Sequence, residues 1–68
     1  MKTINKRELI KLLEEDDLKN YNHAFDYAIS IGHLDINEGV WMYMGFENNT
    51  IFFKDKLTRA YNNLELAE

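Results

Sequence analysis

Between Gly39 and Lys56 the chain reads GVWMYMGFENNTIFFKDK, with apolar residues on both sides of a central Asn48-Asn49 pair. Two asparagines accept the positive φ values of a type I′ turn, so this stretch is predicted to form a β-hairpin. The turn sets a register in which Glu47 faces Thr50, Phe46 faces Ile51, Met44 faces Phe53 and Tyr43 faces Lys54. Gly45 falls opposite Phe52, where an aromatic ring can cover the glycine backbone. Strand alternation then places Val40, Met42, Met44, Phe46, Ile51 and Phe53 on one face, and Trp41, Tyr43, Phe52, Lys54 and Lys56 on the other. Both faces are apolar, and a two-stranded ribbon in a small protein can bury only one of them against its own helices. The first set is the expected floor of the core, with Met42 and Met44 as adaptable packing. Three readings remain for the second. A C-terminal helix covers it, or it is an exposed patch that meets a partner or a second copy, or its rings stack on bases with Lys54 and Lys56 at phosphates.

The rest of the chain reads as helix. Asn5 is a good N-cap, with Glu8 three residues on in a capping-box pattern, and Ile4 and Leu9 are spaced as a hydrophobic staple. Leu9, Leu12 and Leu13, with Ile10 beside them, form an apolar stripe at helical spacing. The run Glu14-Glu15-Asp16-Asp17 follows. Negative charge opposes the dipole at a helix C-terminus, so the first helix is expected to stop near Glu15 or Asp16, with Asp16 or Asp17 capping the next. A second helix is predicted from Lys19 to Ile31 on the spacing of Tyr21, Ala24, Phe25 and Ala28, with Gly32 as a left-handed stop. His33 to Gly39 is expected to be a loop whose Leu34 and Ile36 tuck back on the core. Beyond Asp55, the residues Leu57, Ala60, Tyr61 and Leu64 fit a helical stripe; a third strand is the alternative. The fold class is therefore α+β: one small domain over residues 1–68, with two N-terminal helices, a β-hairpin and a short C-terminal helix. Its expected core is Leu9, Leu12, Leu13, Phe25, Ala28, Met44, Phe46, Ile51 and Phe53.

A chain of 68 residues buries only about 60% of its unfolded surface. Such domains use disulfides, metals or association to compensate. Cysteine is absent, and two histidines, His23 and His33, lack metal-ligand spacing. No nucleotide-binding or catalytic motif is present, and the adjacent carboxylates have neither a pocket nor a second catalytic group. No enzyme activity, cofactor or metal is expected. Association remains: a homodimer, or binding to another protein.

The charge is −4, with 12 acidic against 8 basic residues. That disfavours direct nucleic-acid binding, which depends on Lys and Arg at phosphates. The stretch from Met1 to Lys11 is basic, with Lys2, Lys6, Arg7 and Lys11 against Glu8. The expected partner-binding residues are the aromatic trio Trp41, Tyr43 and Phe52 together with the carboxylates Glu14, Glu15, Asp16, Asp17, Asp35 and Glu38. No apolar run is long enough to cross a bilayer, and the N-terminus has no apolar signal region, so a cytoplasmic location is expected.

In size and composition the whole chain resembles the small acidic accessory proteins that bacteriophages make early in infection to bind and inhibit host proteins. The resemblance is to that class, without a specific motif. It implies a host protein as partner and the host cytoplasm as location. Some of the class imitate DNA, and here Glu14, Glu15, Asp16, Asp17, Asp35, Glu38 and Glu47 would stand for phosphates. The competing reading is a winged-helix-like DNA-binding transcription regulator, since two helices before a hairpin fit that order. Its recognition helix should be basic, whereas the second helix here sets Lys19 against Asp26.

Overall fold

Asn5 starts the first helix as its sequence predicts. Its side chain accepts a hydrogen bond from the Glu8 N–H at 2.8 Å. Glu8 answers through the Asn5 side-chain amide, at 2.8 Å, in place of the backbone N–H of a capping box. The computed structural model describes residues 4–35 and 40–66. Ile36 and Glu38, and Lys2 of the basic N-terminus, lie outside them. The described elements are α1 (Lys6–Ser30), β1 (Trp41–Glu47), β2 (Thr50–Asp55) and β3 (Leu64–Glu65).

The two helices expected here are one element broken at Asp16, whose φ of −163° and ψ of 88° are not helical. The break divides the carboxylate run. Glu14 and Glu15 end the first arm, against its dipole, while Asp17 stands in the first turn of the second arm, where negative charge is favoured. Asp16 caps that second arm by accepting from the Lys19 N–H at 3.2 Å. Carbonyls freed at a helix end need other donors. The Asn20 amide supplies them, donating to Leu12 O at 3.0 Å and to Asp16 O at 3.1 Å. At the far end Gly32 takes φ +79°. Its N–H bonds to Ile29 O, and the His33 N–H bonds to Ala28 O, which is the Schellman pattern.

The hairpin turns on Asn48 (φ 52°) and Asn49 (φ 59°). Its register runs as predicted through Glu47–Thr50, Phe46–Ile51 and Gly45–Phe52, and then shifts. Tyr43, not Met44, faces Phe53; Met42 faces Lys54 and Trp41 faces Asp55. Met44 is the extra residue of a β-bulge, and the next residue, Gly45, takes φ +138°, where an L side chain is strained. One inserted residue exchanges the faces beyond it. The face assignment for Trp41, Tyr43 and Met44 is corrected accordingly. Trp41 and Tyr43 pack against the core beside Phe46, while Met44 is 44% exposed.

The expected C-terminal helix is also corrected, because the chain returns as β3. Asp55 does cap a turn, its Oδ1 accepting from Leu57 N at 2.7 Å and Thr58 N at 3.1 Å. Arg59 then takes φ +67°, and the Asp55 N–H bonds to Ala60 O, so the turn closes a second hairpin. Leu64 pairs with Ile51 and Glu65 with Thr50, giving a three-stranded antiparallel sheet in the order β1-β2-β3. Leu64 and Leu66 alternate inward at the strand period, whereas Leu57, the start of the supposed helical stripe, is 83% exposed. His33 and Asn62 join the helix end to this return. The Asn62 amide donates to His33 O at 3.2 Å, and a His33 ring nitrogen lies 3.3 Å from Asn62 O.

The core comprises Leu9 and Leu13 of the first arm, Ala24 and Ala28 of the second, Leu34, and Ile51, Phe53, Leu64 and Leu66. Of the expected core, Leu12, Phe25 and Phe46 are half-buried and Met44 is exposed.

Two stability predictions follow from the sheet. A Cβ at Gly45 would meet nothing within 4 Å, so Gly45→Ala has only a backbone cost, about 1–3 kcal/mol. Urea unfolding followed by the fluorescence of Trp41, the single tryptophan, should show the drop; an unchanged midpoint would mean that the bulge is absent. Phe53→Ala should cost about 3–5 kcal/mol, comparable to the whole stability of a domain this small, and should leave the chain largely unfolded by circular dichroism.

Candidate functional site: a valley between the second helical arm and strand β1

The second arm lies against the hairpin through rings. Tyr43 meets Tyr21 at 5.9 Å between centroids, Tyr21 meets Phe25 edge-on at 6.0 Å, and Phe25 meets Phe53 at 5.2 Å. These separations suit tilted and edge-to-face aromatic pairs. The Tyr43 hydroxyl donates to Asp17 Oδ2 at 2.7 Å, a charge-assisted bond that ties β1 to the first turn of the second arm. Burial, then that hydrogen bond, then the Asp17 charge hold the Tyr43 phenol well above its ordinary pKa.

This contact divides two open concavities. On one side an apolar groove of about 380 Å³ is lined by Leu18, Tyr21, Phe25, Trp41, Met42, Tyr43 and Lys56. On the other a polar hollow of about 650 Å³ is lined by Leu13, Glu14, Asp17, Phe46, Glu47, Asn48 and Asn49. Asp17 belongs to the hollow and Leu18, the next residue, to the groove. Together they make one valley along β1, aromatic in the middle, acidic towards Glu14 and Glu47, and ending at Lys56. Leu18 is 74% exposed and Tyr21 47%.

The expected site residues are thus partly gathered. Trp41 and Tyr43 line the groove, and Glu14 and Asp17 line the hollow. Glu15 and Asp16 are exposed at the helix break beside them. Phe52 does not join them. It alternates to the opposite face of the sheet, where the Lys54 ammonium stands 5.5 Å from the Tyr61 ring. Asp35 does not join them either. It follows Leu34, whose N–H bonds to Ala28 O at the far end of the second arm, an arm roughly 20 Å long at the rise of an α-helix. Glu38 lies outside the described residues.

Comparison with protein families, with characterised proteins and with solved structures finds no match. The site is therefore read from its own chemistry. Among the described residues no group of three or more His, Asp or Glu is placed to hold a metal ion, and no helix is long and apolar enough to cross a membrane. Sequence reasoning missed Leu18 and Tyr21 as surface residues. The signal was present: Leu18, Tyr21 and Phe25 stand at i, i+3 and i+7, which sets Leu18 on the same stripe as the two rings.

Tyr43→Phe removes the bond to Asp17 and should cost about 1 kcal/mol near neutral pH. A phenol whose pKa is raised on folding adds stability that is full below its unfolded pKa, about 10, and is lost as pH rises towards the folded value. The stability gap between wild type and Tyr43→Phe should therefore be constant up to about pH 9 and shrink above about pH 10. Denaturant unfolding of both proteins across that range measures it; a gap that widens with pH would contradict the assigned hydrogen bond.

Proposed function

We propose that this chain is a non-enzymatic protein-binding regulator or inhibitor that uses the valley along β1 to occlude a basic surface of another protein. The observation that carries this reading is the apolar groove whose rim residues Leu18 and Tyr21 remain largely exposed beside half-buried Trp41 and Tyr43. Aromatic residues gathered in a concavity are common anchors of protein interfaces, and exposed apolar surface gains most when a partner removes it from water. The acidic end of the valley supports a basic partner. Charges of this kind steer encounter, while the apolar contacts hold the complex. Imitation of DNA is the narrower form of the proposal, with the exposed Glu14, Glu15 and Asp16 beside Glu47 in the place of phosphates. The phage-like setting supplies a natural target, a nucleic-acid-binding protein of the host.

The test uses a photoreactive amino acid at Leu18 and, as control, at Ile31 on the distal end of α1. Cross-linking in bacterial lysate should give a discrete partner from Leu18 and none from Ile31. Leu18→Glu should abolish capture while changing stability by no more than about 0.5 kcal/mol, as surface substitutions do. With the captured partner in hand, the association rate should fall steeply as salt rises, with dissociation changing less. Equal cross-linking from both positions, or an association rate indifferent to salt, would reject the proposal. Tight binding of plain duplex DNA by the chain alone would favour the winged-helix reading instead.

A further inference from the structure

Among the described residues, the backbone of β1 has an open side. The strand order makes β1 an edge, and the hydrogen bonds of β2 show which of its groups are free. Asp55, opposite Trp41, turns its backbone the other way, with its N–H on Ala60 O at 2.9 Å and its carbonyl accepting from Arg59 N at 2.9 Å. Phe53, opposite Tyr43, accepts from Asn62 N at 2.8 Å, again on the side away from β1. In an antiparallel ladder, residues facing such partners form non-hydrogen-bonded pairs, so the N–H and C=O of Trp41 and Tyr43 point to the free edge. Met42, between them, points inward to the ladder. A strand laid along Trp41–Tyr43 would find two donors and two acceptors before the bulge interrupts the edge.

The side chains beyond that edge match. A fourth strand would lie about 4.8 Å outside β1, and its inward residues would fall under Leu18 and Tyr21. Both line the groove, where Leu18 is 74% exposed and Tyr21, whose ring meets Tyr43, 47%. The two ends of the valley differ in charge, with Glu14 and Glu47 at one and Lys56 at the other. A cationic side chain suits the first and is repelled at the second.

We infer that β1 accepts an extended segment of a partner protein as a fourth strand, with a bulky apolar side chain in the groove and a Lys or Arg at the Glu14–Glu47 end. Same-face residues in a strand recur every second position, so the apolar and cationic residues stand two or four apart in the segment. Main-chain hydrogen bonds hold it, and the two side-chain positions select it. The inference rests on the protein-binding reading above and specifies what enters the valley.

The probe is a library of random peptides of roughly ten residues, selected on the full chain. Enriched peptides should carry Lys or Arg two or four positions from Phe, Trp, Leu or Ile. On binding, hydrogen exchange at the Trp41 and Tyr43 amides should slow about tenfold or more, while Met42, already in the ladder, changes little. N-methylation at alternate peptide positions should weaken binding roughly tenfold by removing strand hydrogen bonds, and methylation at the intervening positions should not. The double variant Glu14→Gln, Glu47→Gln should lose the preference for a basic residue. Four results would overturn the inference: no enrichment over the Leu18→Glu variant, peptides without a basic residue, binding with unchanged Trp41 and Tyr43 exchange, or protection of those amides through self-association without peptide. A partner cross-linked through Leu18 together with unchanged edge amides would defeat the fourth strand alone. Absence of both defeats the protein-binding reading with it.

Discussion

The backbone at Gly45 is the constraint on which the rest of this structure depends. A φ of +138° is open to glycine and costly for other residues. It allows one extra residue, Met44, to enter β1 without breaking the pairing with β2. Because strand side chains alternate with a period of two, that single insertion sends Trp41 and Tyr43 to the helical side and leaves Met44 exposed. The hydroxyl of Tyr43 thereby reaches Asp17, its ring reaches Tyr21, and the groove acquires its aromatic floor.

The break at Asp16 works with the bulge. The two arms bring different material to one core: Leu9 and Leu13 from the first, and Ala24 and Ala28, fully buried, from the second. Ala24 and Ala28, at i and i+4, share one cluster with Ile51 and Phe53 and add little volume to it. A carboxylate run that would destabilise an uninterrupted helix is divided by the break into an exposed C-terminal pair, a cap and a first-turn acid. Asp17 then serves two ends, favouring the dipole of its own arm and accepting the hydrogen bond of the Tyr43 hydroxyl.

The core is small, with no cysteine in the chain to reinforce it, so its stability is expected to be modest. The valley leaves Leu18 and Tyr21 in contact with water, so their exposed surface adds nothing to folding stability. Any partner that binds the folded chain alone also stabilises it by mass action.

Much of the local structure was legible in the sequence because local rules govern it. Asn5 and Glu8 at the helix start, Gly32 at its end, Asn48-Asn49 at the turn, and the first three pairs beyond that turn depend on neighbours a few residues apart. The α+β class and the helix break within the carboxylate run were readable in the same way. The faces of β1 were not. Simple alternation carries no sign of a bulge, and Gly45 was read only as a site that Phe52 can cover. Nor was β3, since Leu64 and Leu66 are inward-facing only because Ile51 and the Asn49 carbonyl stand beside them. The groove required two distant segments at once: the second helical arm, and an edge strand whose bulge turns its rings inward. Sequence by itself determined where the chain caps, turns and stops, because those choices are made by hydrogen bonds within a few residues. Tertiary structure decided which rings are covered and which described strand lies at the edge of the sheet, because register and burial are set by packing between segments that the sequence keeps apart.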